Sequence, residues 1–396
     1  MIGHVDIISR NGVSGWAADP ARPNHEAFVR VIVNGRAVRA TANLMREDLT
    51  AAFPGATGRY GFELDTPPFP LSPFADNQVE LVFVNGGARV PGGAATLPAL
   101  GTRPSPHTRA GRPTPLVLST TGRAGSSLFM ARLARHPDIV VARDHPYEVK
   151  LISYYALALR TFVSQADRAR STDPDTMAAL ANRFFIGFNP YNDQHDAQSP
   201  LLAAFWTTVA PDSLRDCFAG LIDAYYDCVA KQTSKPQPRV FGEKIGTSDL
   251  VREAAAYMFG PLHEIVLVRD PRDVICSSRS FWRRDVAQSI KALRGQFTNL
   301  GRPRTETGLR QHVIRYEDVL LRPQPTMQTV FEFLDLPSVK VEPDLQSESR
   351  VFTTHGTSKT QADTIGRWRR ELTPEEASIA TAELRPFIDQ YGYDIV

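Results

Sequence analysis

Nearly a third of the way along the chain, the apolar run Leu116-Val117-Leu118 enters the segment Ser119-Thr120-Thr121-Gly122-Arg123-Ala124-Gly125-Ser126-Ser127 and leaves it as a helical stretch, Ser126 to Arg135. A strand that feeds a helix through a glycine-rich turn belongs to few folds. In that context the glycines let backbone N–H groups converge on an anion, and the helix start adds its positive end. Ser126 and Ser127 add hydroxyl donors, and Arg123 adds a permanently charged fork. A plain strand-to-helix turn is the structural alternative. The loop is not a Walker A motif, which needs Lys directly after its second Gly, where Ser126 stands. No clear apolar strand ends in an isolated Asp suited to Mg²⁺. The pattern predicts an anion grip without the usual machinery for a nucleoside triphosphate.

Further strand candidates follow at Ile139 to Val141, Arg239 to Phe241, Glu264 to Val268 and His312 to Ile314, each leading into a turn or helical stretch, with one helix expected from Pro146. Alternation of this kind predicts a parallel sheet with helices on both faces. Residues 150 to 235 lack a clear strand and read as a helical insertion at the sheet's carboxyl edge, where α/β ligands bind. Residues 1 to 100 have a different character. Phe28 to Val33, Asn34-Gly35 and Arg36 to Ala40 form a hairpin signal, repeated by Val79 to Val84, Asn85-Gly86-Gly87 and Ala88 to Val90. The expected organisation is a small all-β, sandwich-like domain at 1–100, a Pro- and Gly-bearing linker at 101–114, and an α/β domain of P-loop type at 115–396.

Composition narrows the function classes. Lys and Arg total 45 against 43 acidic residues, a net charge of +2, so nothing marks a nucleic-acid coat or a polybasic membrane anchor. The three cysteines form no C-x-x-C pair and suit a reducing compartment. The first residues show no cationic and apolar leader pattern, and apolar runs are strand-sized, well short of a membrane span. The expectation is a cytoplasmic protein.

A second motif runs from His263 to Ser277. A buried strand should end at Arg269, Asp270 should cap the next helix, and Pro271 fits its first turn. Arg269 then sits at the strand's carboxyl end, with Ser277 about two helical turns on, a pair able to hold a second phosphate. A capped helix with surface ion pairs is the alternative.

With both motifs in view, the chain resembles the sulfotransferase family that uses 3′-phosphoadenosine 5′-phosphosulfate (PAPS), especially its bacterial and tyrosylprotein-type branches, over roughly residues 115 to 372. The resemblance also takes in Gly242-Glu243-Lys244, Arg315-Tyr316-Glu317-Asp318 and Thr364-Ile365-Gly366-Arg367-Trp368-Arg369. It implies that the loop of Thr121, Gly122, Arg123, Ala124, Gly125, Ser126 and Ser127 binds the 5′-phosphosulfate, while Arg269 and Ser277 bind the 3′-phosphate. Arg123, where many members have Lys, would neutralise the bridging oxygen as the sulfur–oxygen bond breaks. Lys244 is similar to the family's second cation near the phosphosulfate, with a solvated surface Lys as the alternative. Tyr316 is placed like a nucleoside-contacting Tyr, with a core Tyr as the alternative. Thr357, Ser358 and Lys359 resemble a loop that folds over the cofactor. PAPS is therefore the expected co-substrate. Protein cations are expected to serve without a metal, because a sulfuryl group carries less negative charge than a phosphoryl group.

Transfer to an alcohol also needs a base for the hydroxyl proton. It should stand across from Arg123, at the end of the second strand, where Asp144, His145 and Glu148 are candidates. Asp144 falls where tyrosylprotein-type members place a catalytic Glu, and Glu148 resembles an acidic residue found after this strand in many bacterial members. The reading places Glu148 first and Asp144 second. A helix start is the alternative, with Asp144 or His145 at the N-cap, Pro146 at N1 and Glu148 closing the turn. The first domain, with Gly15-Trp16-Ala17-Ala18-Asp19 and Arg46-Glu47-Asp48-Leu49, looks like β-domains appended to bacterial glycan-modifying transferases, so a carbohydrate hydroxyl is the expected acceptor. Peptide tyrosine and small alcohols stay open. The rivals are an ATP-dependent P-loop phosphotransferase and a non-catalytic binding protein.

Overall fold

The computed structural model describes residues 1–9, 12–50, 52–53, 56–64, 71, 75–99, 106–107, 109–142, 147–162, 209–301, 309–341, 356–358 and 360–394. The chain divides into two compact units, 1–104 with 158–213, and 105–157 with 214–396.

In the first unit, strands β1 (Ile2–Ser9), β2 (Gly12–Ala18), β3 (Ala27–Val33), β4 (Arg36–Ala42), β5 (Leu44–Met45), β6 (Arg59–Leu64), β7 (Asn77–Phe83) and β8 (Arg89–Leu97) form two antiparallel sheets. Their orders are β1-β2-β6-β5 and β4-β3-β7-β8. One core draws Val5, Val13 and Phe62 from the first sheet and Val29, Val31 and Leu81 from the second, which is the arrangement of a sandwich. Asn34 and Gly35 turn the β3–β4 hairpin with φ of 49° and 77°, the left-handed pair that a two-residue loop requires.

In the second unit, β9 (Thr114–Thr120), β10 (Ile139–Val141), β11 (Val240–Gly246), β12 (Leu262–Val268) and β13 (Leu309–Arg315) make a five-stranded parallel sheet of order β10-β11-β9-β12-β13. The helices, in chain order, are α1 (Ser126–Leu133), α2 (Leu151–Phe162), α3 (Ala210–Gln232), α4 (Asp249–Phe259), α5 (Pro271–Trp282), α6 (Val286–Leu300), α7 (Tyr316–Leu321), α8 (Pro323–Phe333), α9 (Trp368–Glu371), α10 (Pro374–Glu383) and α11 (Arg385–Gln390). The fold is the expected one, a P-loop-type parallel sheet with flanking helices, preceded by antiparallel β-structure. Strand β12 shows why its sequence reads as an unbroken apolar run. Ile265 and Leu267 join the core beneath α1 and α8, while Val266 and Val268 join the core beneath α5, α6 and Trp368.

Two local expectations are revised. The helix after β10 starts at Leu151 and not at Pro146, because Lys150 is left-handed at φ 59° and cannot open an α-helix. The Arg-Asp-Pro-Arg turn is a capped helix start, as read, with the Asp270 carboxylate accepting from the Arg272 amide at 2.9 Å. Its ion pair, however, is buried: Arg272 has no exposed surface, grips Asp270 at 2.8 and 3.0 Å and lies over Trp368.

Arg272→Met should therefore cost about 3–5 kcal/mol in urea unfolding, because Asp270 is left charged and unpaired in the interior. Arg294→Met, which breaks the exposed pair with Glu383, should cost no more than about 1 kcal/mol.

Candidate active site

All five strands of the parallel sheet deliver their carboxyl ends to one side, and the order β11-β9-β12 puts the switch point of the winding there. Arg123 follows β9, Lys244 lies near the end of β11, Arg269 follows β12, Tyr316 follows β13, and Glu148 follows β10. A cavity of about 360 Å³ opens at these ends. Arg123, Ser126, Ser127, Glu148, Arg269, Ser277, Tyr316 and Thr357 line it together.

The glycine loop is shaped for close approach. Arg123 takes φ 68° and Gly125 φ 86°, so the chain doubles back before α1. A Cβ on Gly125 would meet the Tyr316 ring at 2.3 Å, and one on Gly122 would meet the Trp282 ring at 2.6 Å. The two arginines are interlocked. Arg123 Nε donates to Ser277 Oγ at 3.0 Å, its guanidinium lies over Phe281, and Arg269 donates to the Arg123 carbonyl at 3.0 Å and to the Thr364 carbonyl. Arg269 also stacks over Tyr316, whose hydroxyl meets Thr364 Oγ1 at 3.0 Å. Ser277 touches Thr357, and Thr357 accepts from Arg367 at 2.6 Å. Burial, then the like charges of Arg269 and Arg367, pull Arg123 down to about 10, still charged at neutral pH. Crowded cations of this kind gain most when an anion arrives. Arg269 Nε and Thr121 Oγ1 are buried with no hydrogen-bond partner among the described residues. Orphaned donors beside a cationic cavity fit an oxyanion ligand.

Glu148 also lines the cavity, with 29% of its side chain exposed. Its carboxylate pairs with Lys244 at 2.9 Å and Lys150 at 3.3 Å. Burial pushes Glu148 up, but these two ammonium groups outweigh it and hold the carboxyl below its ordinary value. Lys244 is almost fully buried, which lowers it, while Glu148 pulls the other way; it also reaches Ser127 at 3.2 Å. The surface-lysine alternative for Lys244 is thus set aside by its burial. Tyr147 (φ 64°) and Lys150 (φ 59°) are both left-handed, a conformation costing on the order of 1–3 kcal/mol each that persists only where its surroundings enforce it.

The structure thus brings together both arginines, the two loop serines, Ser277, Tyr316, Thr357, Glu148 and Lys244. Thr121 and Ala124 lie in the same loop, both buried. Ser358 adjoins Thr357, its hydroxyl buried. Asp144, His145 and Lys359 lie outside the described residues. Sequence reasoning missed Phe281 and Trp282, which line the cavity one turn beyond Ser277, as well as Gln361 and Thr364. The i+4 spacing from Ser277 was the available signal. It also passed over Arg367, whose motif it quoted without assigning the side chain a role. Among the described residues, no three His, Cys, Asp or Glu side chains cluster as a metal site would require. No described helix is long and apolar enough to cross a membrane.

Comparison with known proteins gives a match of residues 115–340 to the sulfotransferase family model. None of the curated proteins compared matches the chain. Among solved structures, the sulfotransferase domain from the curacin biosynthetic pathway is 19% identical, covering 72% of this chain and 99% of its own, at a TM-score of 0.40. The sulfotransferase domain from the Synechococcus PCC 7002 olefin synthase is 18% identical, covering 74% and 96%, at 0.41. Sulfotransferase STF9 from Mycobacterium avium is 15% identical, covering 71% and 78%, at 0.34.

Gly125→Ala should weaken the binding of inorganic pyrophosphate by about tenfold or more, since its Cβ must displace the Tyr316 ring and sit in strained backbone. Titration calorimetry on the variant checks this.

Proposed function

The chain belongs to the sulfotransferase family, and we propose that it moves a sulfuryl group from PAPS to a hydroxyl-bearing acceptor, a carbohydrate in the favoured case. The observation that carries the reading is the single cavity shared by the Arg123 loop and the Arg269–Ser277 pair. A donor with phosphate groups at two ends of one nucleoside calls for basic and hydroxyl side chains from two segments, and this cavity is lined by both, joined by the bond from Arg123 to Ser277. The residues fit such a group: two glycines without Cβ leave room, and the orphaned Nε of Arg269, which lines the cavity, awaits an acceptor.

In this reading Arg123, Ser126, Ser127 and the loop amides hold the phosphosulfate end. Arg269, Ser277 and Thr357 hold the 3′-phosphate, with Ser358 and Lys359 in the same closing segment. Tyr316 meets the nucleoside. PAPS supplies an activated sulfuryl group on a nucleotide leaving group. Arg123 and Lys244, preorganised by burial, answer the charge that develops on the leaving oxygen, the kind of contribution that usually dominates such catalysis. Glu148 receives the acceptor's proton. Asp144 and His145, on the same segment, stay secondary candidates. Held ionised by Lys244 and Lys150, Glu148 is a weak base but is ready at every physiological pH, a fair arrangement where the proton leaves late in bond formation. The carbohydrate preference rests on the first unit's likeness to β-domains appended to glycan-modifying transferases.

The test is transfer of ³⁵S from labelled PAPS, with EDTA present, to panels of 4-nitrophenyl glycosides, tyrosine peptides and small alcohols. Labelled glycosides are expected. Label on peptides or alcohols alone would reassign the acceptor, and ATP turnover with no labelling at all would point to a phosphotransferase. Arg123→Ala should cut kcat far more than it weakens 3′,5′-phosphoadenosine binding, whereas Arg269→Ala should mainly weaken that binding.

The pH profile gives an independent check. A carboxyl below its ordinary value of 4.5 stays charged above it, so the acid limb of kcat/KM should lie below pH 4.5. Lys244→Ala removes the chief lowering influence and leaves burial in place, so the limb should move to higher pH.

A further inference from the structure

Glu243 precedes Lys244 on β11 and has no part in the chemistry above. It is 1% exposed and has no cationic partner in any ion pair among the described residues. A carboxyl in that position is costly unless a hydrogen bond answers it. One oxygen accepts from the Ile152 amide at 2.8 Å, at the first turn of α2, and the other is buried with no partner among the described residues. The Tyr226 hydroxyl, from α3, donates to the Gly242 carbonyl beside it at 3.1 Å. Glu243 and Lys244 therefore hold one short stretch from successive positions of a single strand. Lys244 holds it through the Glu148 carboxylate, and Glu243 holds it through the Ile152 amide four residues later. The stretch between contains left-handed Lys150, with left-handed Tyr147 directly before it, and would relax without anchors at its ends.

We propose that Glu243 is a positioning residue that fixes Glu148 at the acceptor side of the cavity by tethering Ile152. This rests on the reading of Glu148 as the base. The tether needs an acceptor oxygen and no charge, which agrees with burial pushing Glu243 up to about 8 against the Ile152 amide.

The experiment compares Glu243→Leu, Glu243→Gln and Glu243→Asp. Readouts are kcat for transfer from PAPS to 4-nitrophenyl glycosides, the Kd of 3′,5′-phosphoadenosine, and amide exchange across residues 147–157. Glu243→Leu should lower kcat about 10²-fold, the scale of a small misplacement, while Kd holds and exchange quickens in that stretch. Glu243→Gln should keep turnover near wild type, because an amide oxygen can accept from Ile152. Should the Leu variant not fold, Glu243→Asp retains the carboxyl group, shortens the reach, and should show the same kcat loss. In a Glu148→Gln background, Glu243→Leu should cost nothing further. Unchanged kcat in Glu243→Leu, a Gln variant as poor as Leu, or losses that multiply with Glu148→Gln would each overturn the proposal. Wild-type turnover in Glu148→Gln alone would instead refute the base assignment, and the exchange data would still report on the tether.

Discussion

Two arginines at neighbouring strand ends, Arg123 and Arg269, are held close enough for each to feel the other's charge. Left alone they would separate. Arg123 holds Ser277 Oγ and the Phe281 face, Arg269 holds the carbonyls of Arg123 and Thr364 and the Tyr316 face, and the Asp273 and Glu317 carboxyls lie within reach of the Arg269 charge. Carbonyls and ring faces orient a cation without cancelling it. Both guanidinium groups are therefore oriented in advance of any ligand, which is the condition for electrostatic preorganisation.

The rest of the second unit serves that constraint. Asp270 and Arg272 close a buried pair directly beneath Arg269, and Asp273 accepts from the amides of Gly366 and Trp368, which fastens the carboxyl-terminal segment to the start of α5. Through Arg367, paired with Glu371 and bonded to Thr357, the same segment is drawn against Ser277. Charged residues that sequence inspection would send to the surface are in fact interior struts. Arg272 and Arg367 find their carboxylates two and four residues away along the chain, whereas Asp273 and the Trp368 face over Arg272 depend on segments about a hundred residues apart.

The Glu148 segment obeys a different logic. There the backbone is strained on both sides of Glu148, and β11 restrains it by means of Lys244 and Glu243. Two arginines line the cavity with one carboxylate, and that carboxylate carries two ammonium partners of its own. This asymmetry suits a reaction in which negative charge leaves toward the arginines and a proton leaves toward the acid.

Local chemistry was enough to read the two β-hairpins, the strand–loop–helix at Arg123 and the cap at Asp270, since Asn-Gly turns, glycines before a helix and Asp-Pro starts act through residues adjacent in sequence. The period of the apolar residues likewise announced a parallel sheet covered on both faces. What it could not supply was the start of α2, where a left-handed Lys150 overrides Pro146, or the burial of Arg272 and Lys244, or the entry of Phe281, Trp282 and Thr364 into the cavity. Those depend on partners dozens to a hundred residues away. Only the folded sheet brings them within hydrogen-bond reach, because the strand order, and not the chain order, sets which loops become neighbours.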